Sequence, residues 1–332
     1  MSRTTSHALQ SRTGPGTASS SARAEQELLA AQQADYVAFL HRHPWATDAY
    51  ELGFVTGVRE DYQLQDDHLA NVDVPVLMLD NDFNGPDIKR YVERFHKYHP
   101  DIGVLGDAYS PEEATQYLEV ARRLSNTVDT DPTLIVVPKC RPAFDVLVDE
   151  PEIVLGYAMG YSDTHALDFT DPVDWRGQDL HLLGASPPKQ YAAIQDLTQP
   201  TISGDPPANI VGVDWNGLQK VAYKGEMWTR DGWQSADHLS IRETVRRGLR
   251  EIKAFWQARG VWPDSDPTAE HRPAVQYPDD PVFVRSGHDI QDRDTLEDAT
   301  VVEYDNGQTL AYQSPTDRAY IEHRHGSPPS IA

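Results

Sequence analysis

Residues 179–225 read DLHLLGASPPKQYAAIQDL, a loop TQPTISGDPPA, then NIVGVDWNGLQKVAYKG. Two short apolar runs, Leu180–Gly184 and Asn209–Asp214, each end in a small or polar residue and lead into a segment with helical spacing. Strand, turn, helix, strand is the grammar of a βαβ unit. Asp214 closes the second run, so it is expected at the C-terminal lip of a buried strand. In parallel α/β folds that lip collects chemistry, because the strand fixes the side chain while the next loop leaves it open to a ligand.

The same grammar extends outward on the N-terminal side. Apolar runs at Tyr50–Val55, Val74–Leu79, Ile102–Leu105, Thr133–Val137 and Ile153–Met159 join the two above, giving seven candidate strands. Helical segments separate most of them, with a strong start at Ser110-Pro111-Glu112-Glu113. Alternation of this kind implies a parallel sheet with right-handed crossovers. The expected fold is α/β, an eight-stranded TIM-like barrel with an irregular eighth strand; an open doubly wound sheet is the alternative. Neither GxGxxG nor GxxxxGK[ST] occurs to suggest a nucleotide site.

The remaining chain reads as additions to that barrel. Residues 1–24 lack periodicity and large apolar groups and read as a disordered tail. Glu25–His41 carries apolar residues at roughly helical spacing and reads as a helix covering one end of a barrel domain spanning 25–263. Ser235–Gly260 reads as a long amphipathic helix, with Ile241, Val245, Leu249, Ile252 and Trp256 on one face and a basic stripe of Arg242, Arg246, Arg250 and Lys253 beside it. Residues 264–332 read as a Pro/Asp-rich linker and a C-terminal hairpin turning at Asp305-Asn306-Gly307.

Composition narrows the classes. The chain has 52 acidic against 29 basic residues, a net charge of −23, and only seven of the basic residues are lysine. Such a surface stays hydrated in concentrated salt, which suits a halophilic archaeon or its virus. A nucleic-acid partner would need a local basic surface, and the 242–253 stripe is the candidate phosphate track. Cys140 is the single cysteine, so no intrachain disulfide or Cys-rich zinc site can form, and a reducing, cytoplasmic setting is expected. No apolar run approaches the ~20 residues that span a bilayer.

Several strand ends carry polar groups: Asp80 and Asp82 in LMLDNDF, Asp107 in GVLGDAYS, Lys139 in VVPKC and Asp214 in VGVDWN. In a barrel they converge on one mouth, where carboxyls can hold a divalent metal or divide into a nucleophile and a general acid/base. These stretches resemble the tRNA-guanine transglycosylase superfamily, in particular its viral and bacterial branch that inserts 7-deazaguanines into DNA. The resemblance runs from about Val74 to Gly225 as ordered short matches. LMLDNDF looks like the strand ending in the aspartate of D-S-G-G-[FY], which implies a general acid/base role for Asp80 and a stacking role for Phe83. GVLGDAYS resembles the strand whose aspartate reads the Watson–Crick edge of the base, implying that role for Asp107. GYAMGY is similar to G-L-A-[VI]-G, whose backbone contacts the base, so Gly156 and Tyr157 carry over. HLLGASPP resembles H/Y-L-M-G-x-G-x-P, placing Leu183 and Gly184 against the base. NIVGVDWN resembles the strand of the catalytic nucleophile, which is then Asp214.

The resemblance implies exchange of guanine in DNA for a free 7-deazaguanine base, through a covalent Asp-glycosyl intermediate, with tRNA as the alternative polymer. Phe83 and Tyr109 are the stacking candidates for a base drawn out of its helix. The sequence departs from the family in three places. It lacks the C-x-C-x-x-C…H zinc site of the tRNA enzymes, so neither metal nor cofactor is expected. Lys139-Cys140 stands for their Gln-Gly, and Asn81-Asp82 for their two glycines. From other classes, a metal-dependent hydrolase or nuclease would use Asp80, Asp82, Asp107 and His181, and a catalytically inert barrel would only bind nucleic acid or protein.

Overall fold

The apolar runs become one closed sheet. In the computed structural model, which describes residues 33–41, 45–61, 74–128, 130–160 and 164–264 and the backbone of 300–303 and 309–312, eight strands pair in sequence order and close on themselves. They are β1 (Tyr36–Leu40), β2 (Val55–Arg59), β3 (Met78–Asp80), β4 (Ile102–Ala108), β5 (Thr133–Pro138), β6 (Val154–Ala158), β7 (Asp179–Leu183) and β8 (Asn209–Asp214). Every neighbouring pair is parallel, and β1 closes on β8 with Ala38 opposite Asp214. The fold is a (β/α)8 TIM-like barrel.

The helices are α1 (Trp45–Glu51), α2 (Ile88–Tyr98), α3 (Pro111–Thr127), α4 (Arg141–Leu147), α5 (Pro187–Thr198), α6 (Leu218–Ala222) and α7 (Ile241–Gln257). Local chemistry sets several starts. Ser110 caps α3 by accepting the Glu113 N–H, Pro111 fills the first position, and the Glu113 carboxylate accepts the Tyr109 N–H. Asp87 caps α2 by accepting from Arg90 N–H. Between α6 and α7 a hairpin of β9 (Glu226–Thr229) and β10 (Gly232–Ser235) brings Trp228 and Trp233 into edge contact with the indole of Trp215.

Two expectations at the front of the barrel are corrected. Tyr36–Leu40, expected inside a helix, is β1, and the barrel therefore has a regular eighth strand. Its five residues are continuously apolar and almost wholly buried, a run that a short core strand needs and that helical spacing also matches. Tyr50–Val55, expected as a strand, is instead the end of α1, a turn at Leu52-Gly53 and the first residue of β2. At the back, the long helix begins at Ile241 rather than near Ser235, because Ser240 caps it and Gly232–Ser235 pairs in the hairpin. The tail 1–24 and most of the linker lie outside the described residues, as does the turn Asp305-Asn306-Gly307; β11 (Thr300–Glu303) and β12 (Thr309–Tyr312) pair antiparallel on either side of it.

The core lies in two shells. Between strands and helices, Trp45, Phe54, Phe95, Phe144, Trp175, Phe255 and Trp256 are fully buried. Inside the barrel, Tyr36 stacks on His181 with ring centroids 5.5 Å apart and donates to or accepts from its Nδ1 at 2.9 Å. Gly212 lies against both rings, where a Cβ would stand 2.3 Å from Tyr36 and 2.7 Å from His181. Among the described residues this layer fills the barrel interior and forms a floor beneath the strand ends. Among the described residues no helix is long and apolar enough to cross a membrane.

Candidate active site

Above that floor the strand ends enclose a cavity of about 540 Å³. Asp80 comes from β3, Asp107 from β4, Val137 and Lys139 from the end of β5, Ala158 and Gly160 from β6, Leu183 and Gly184 from β7, and Asp214 from β8; Phe83, Tyr109, Trp215, Asn216 and Lys220 enter from the loops beyond. The volume falls within the range of small-molecule sites. Phe83 and Tyr109 are each more than half exposed, so two aromatic faces stand at the rim. The Arg59 guanidinium lies over the Phe83 ring at 5.1 Å, a cation–π contact that steadies one of them.

Asp214 is 7% exposed and held at both oxygens. Oδ1 accepts the Gly184 N–H at 3.0 Å, and Oδ2 accepts Asn216 Nδ2 at 3.0 Å. Asn216 cannot turn its amide over without cost, since its own Oδ1 accepts the Leu40 N–H at 2.8 Å. Gln190 Nε2 donates to the carbonyls of Gly184 and Asp214, both at 2.7 Å. The ends of β1, β7 and β8 are thereby fastened around one carboxylate. Gly184 adopts φ +70, and a Cβ on Gly160 would stand 2.4 Å from Ala185 N. The β6 and β7 ends can approach this closely only because both positions are glycine.

Burial pushes the Asp214 carboxyl up to about 6, with the Gly184 and Asn216 donors holding it back. Asp80 is pushed well above the usual carboxylate range, first by burial and then by the charges of Asp214 and Asp107; Arg59 and the Asn81 N–H oppose this only in part. Asp214, at about 6, is therefore ionised at neutral pH, while burial and the charges of Asp214 and Asp107 favour the protonated form of Asp80. Environments that separate two carboxyls in this way assign acid and base. Asp107 is also raised by burial, and Lys139, 3.4 Å away, offsets part of the rise.

The loop after β3 is fastened from below. Glu60, fully buried, accepts from the backbone N–H groups of Asp82 and Asp87 and from Arg90 at 3.0 Å. Asp82 therefore belongs to a structural network with Arg59 and Arg90. Among the described residues no group of three or more His, Cys, Asp or Glu is arranged to hold a metal ion. His181, the fourth member of the alternative metal set, lies in the floor bonded to Tyr36, and burial pushes its pKa down to about 3.

Asp80, Phe83, Asp107, Leu183, Gly184 and Asp214 of the expected site thus meet in one cavity. Gly156 and Tyr157 do not. Tyr157 points outward from β6, edge-on to Trp175 at 4.9 Å, and Gly156 lies deeper, with Val137 and Leu183 filling the space its missing side chain leaves. Strand alternation and the turn after it bring Ala158 and Gly160 to the cavity instead. The basic stripe is corrected as well. Arg242 is buried and makes a two-pronged pair with Asp48 on α1, at 2.9 Å for each bond, and Arg246 reaches the same carboxylate at 3.2 Å. Lys253 donates to the Leu52 carbonyl and lies over the Trp262 ring. Arg250 is exposed, but α7 runs down the outside of the barrel, away from the mouth at which it starts. Arg242 and Arg246 thus fasten α7 to α1, and none of the four residues lines the cavity.

Asn216, Gln190 and Lys220 had no signal of their own in the sequence. Asn216 stands two residues from Asp214, yet only closure of β1 onto β8 gives its amide a purpose.

A barrel whose strand ends gather three carboxyls and a buried lysine beneath two exposed aromatic rings defines an enclosed, polar-floored ligand site on a TIM-like fold. Residues 49–257 match the model of a family of unknown function, DUF6610, and this chain belongs to that family. No curated protein matches it. Solved structures that match include the YdjI aldolase of Escherichia coli, at 15% identity over 74% of this chain and 96% of that one, with a TM-score of 0.43; the likeness concerns the barrel and not its chemistry.

Proposed function

We propose that the protein is a transglycosylase that exchanges guanine in DNA for a free 7-deazaguanine base. The observation that carries this reading is the pair Asp214 and Asp80, facing one cavity, the first raised only to about 6 and the second biased toward its protonated form by burial and by its acidic neighbours. Cleaving a glycosidic bond through an oxocarbenium-like transition state calls for one ionised carboxylate at the anomeric carbon and one protonated carboxyl at the departing base. Asp214 attacks the anomeric carbon as its bond to guanine breaks, and Asp80 gives its proton to the guanine nitrogen. The incoming base then attacks the same carbon with its ring nitrogen, expels the Asp214 carboxylate, and returns a proton to Asp80. No water is consumed. Burial of Asp214 keeps water from the ester that would otherwise be hydrolysed. Phe83 and Tyr109 supply faces for the target base once it leaves its stack.

The test is incorporation of a labelled 7-deazaguanine, such as the 7-cyano form, into DNA and, in a parallel arm, into tRNA. Label is expected in DNA with the wild-type protein and none with Asp214→Asn. Label entering tRNA alone would assign the other polymer, and label in neither would overturn the reading.

A further inference from the structure

Among the described residues three aromatic rings are half exposed or more: Phe83, Tyr109 and Trp233. One exposed aromatic is ordinary surface, but these three stand around a single mouth. Phe83 and Tyr109 line the cavity from the loops after β3 and β4. Trp233 belongs to the β8 side, which lies opposite β4 in a closed ring of eight strands. Its ring meets that of Trp215 at 6.1 Å and 70°, and Trp215 lines the cavity next to Asp214. The hairpin that carries Trp233 is fastened. β9 and β10 pair along their whole length, Trp228 packs on Trp215 and Phe255 at 5.9 and 5.6 Å, Arg230 reaches Glu251 on α7 at 2.8 Å, and the Ala236 N–H donates to the Gly225 carbonyl at 2.7 Å. A fixed support, rather than a loose loop, holds this indole out to solvent.

We propose that Trp233 stacks on a nucleobase flanking the exchanged guanine, and that the DNA is accordingly bound as a single strand. This rests on the transglycosylase reading. With the target base in the cavity beside Phe83 and Tyr109, the strand on one side of it has to cross the β8 rim, where Trp233 stands. In a duplex the faces of the neighbouring base are covered by the adjoining pairs. Only an unpaired neighbour can turn a face to the indole. Charge favours the same form. Duplex DNA carries one charge per about 1.7 Å of axis and a single strand about one per 3.4 Å. A chain of net charge −23, with Arg242 and Arg246 taken up by Asp48, repels the denser polyanion more strongly. Aromatic stacking holds a strand through its bases, and it tolerates any base because each has a π-face.

The experiment is fluorescence anisotropy with a labelled guanine-containing oligonucleotide, as a single strand and annealed to its complement. The protein is full-length Asp214→Asn, which forms no covalent adduct, alone and combined with Trp233→Ala or Trp233→Phe. The single strand should bind more tightly than the duplex by on the order of 100-fold, the toll of unpairing and unstacking. Trp233→Ala should weaken single-strand binding by about 5- to 140-fold, and Trp233→Phe, which keeps a ring, should recover most of it. Free 7-deazaguanine should bind Trp233→Ala as before, since Trp233 does not line the cavity. Circular dichroism and thermal unfolding verify that each variant is folded. A folded Trp233→Ala with unchanged single-strand affinity overturns this inference alone. So does a duplex bound as tightly as the single strand, a loss of free-base binding in Trp233→Ala, or a dimer that Trp233→Ala dissociates. A protein that binds neither form of DNA overturns the transglycosylase reading on DNA with it.

Discussion

Asp214 is held for a purpose that its burial opposes. Its raised pKa means that the folded state is favoured by protonation of this group: that stabilisation is whole below about pH 4, the ordinary aspartate value, and is lost as pH rises through about 6. At neutral pH the fold carries the ionised form at a cost on the order of 1–3 kcal/mol. What limits the cost is the pair of donors, Gly184 N–H and Asn216 Nδ2. A nucleophile must be ionised, so base exchange should rise through about pH 6; it should fall again at higher pH, where Asp80 gives up its proton. Asn216→Ala removes one donor. Its acidic limb should move to higher pH, with kcat at the optimum falling by about tenfold to a hundredfold, as expected for losing one charge-assisted hydrogen bond of about 1.5–3 kcal/mol. A pH–rate profile measures this, and an unmoved acidic limb would remove Asn216 from its positioning role.

Among the elements, α7 shows how a charged pattern can mislead. Arginines at 242, 246 and 250 with Lys253 form a one-sided basic stripe in an acidic chain, a pattern fit for phosphates. The stripe instead faces α1, because Asp48 on that helix is buried and needs counter-charge. Removing one partner of such a pair is expensive. Arg242→Ala should lower the unfolding free energy by about 3–5 kcal/mol in a denaturant titration. Arg250→Ala, on the exposed flank, should leave stability within about 0.5 kcal/mol and DNA affinity unchanged. Loss of DNA binding in Arg250→Ala would restore the phosphate-track reading. The same logic sorts what was legible beforehand. Strands β3 to β8 and their polar ends follow from short apolar runs closed by Asp, Lys or Gly, since a buried strand has few other ways to be written. β1 escaped because five consecutive apolar residues satisfy a helix face and a core strand alike. Gly156 and Tyr157 were expected at the base through their backbone, on the resemblance alone; the strand's phase, which turns the Tyr157 side chain to Trp175, was not legible before the pairing with β7. Asp48 finds Arg242 194 positions away, Asn216 finds Leu40 176 away and Gln190 finds the Asp214 carbonyl 24 away, and separations of that kind leave no mark in local spacing.

For the whole molecule, a formal charge of −23 sets the terms on which the proposed DNA substrate would be met. A polyanion approaching such a surface is repelled over roughly the Debye length, about 8 Å at physiological ionic strength. Attraction would have to be local, and the rim offers aromatic faces and the Lys220 side chain rather than a broad basic field, since Arg59 is taken up by Asp61. Recognition of this sort leans on stacking of an extruded base more than on phosphate contacts. The barrel supports that arrangement because its Tyr36–His181 layer forms a floor beneath the cavity at the strand ends. The proposed function turns on one covalent bond, between the Asp214 carboxylate and a DNA sugar. The most direct test is to stop wild-type protein with denaturant during turnover on guanine-containing DNA, digest it, and locate the adduct by mass spectrometry. The adduct should lie on the peptide carrying Asp214, be absent in Asp214→Asn, and disappear when excess 7-deazaguanine is added before the stop. Base exchange without any adduct, or with an adduct on Asp80, would contradict the account.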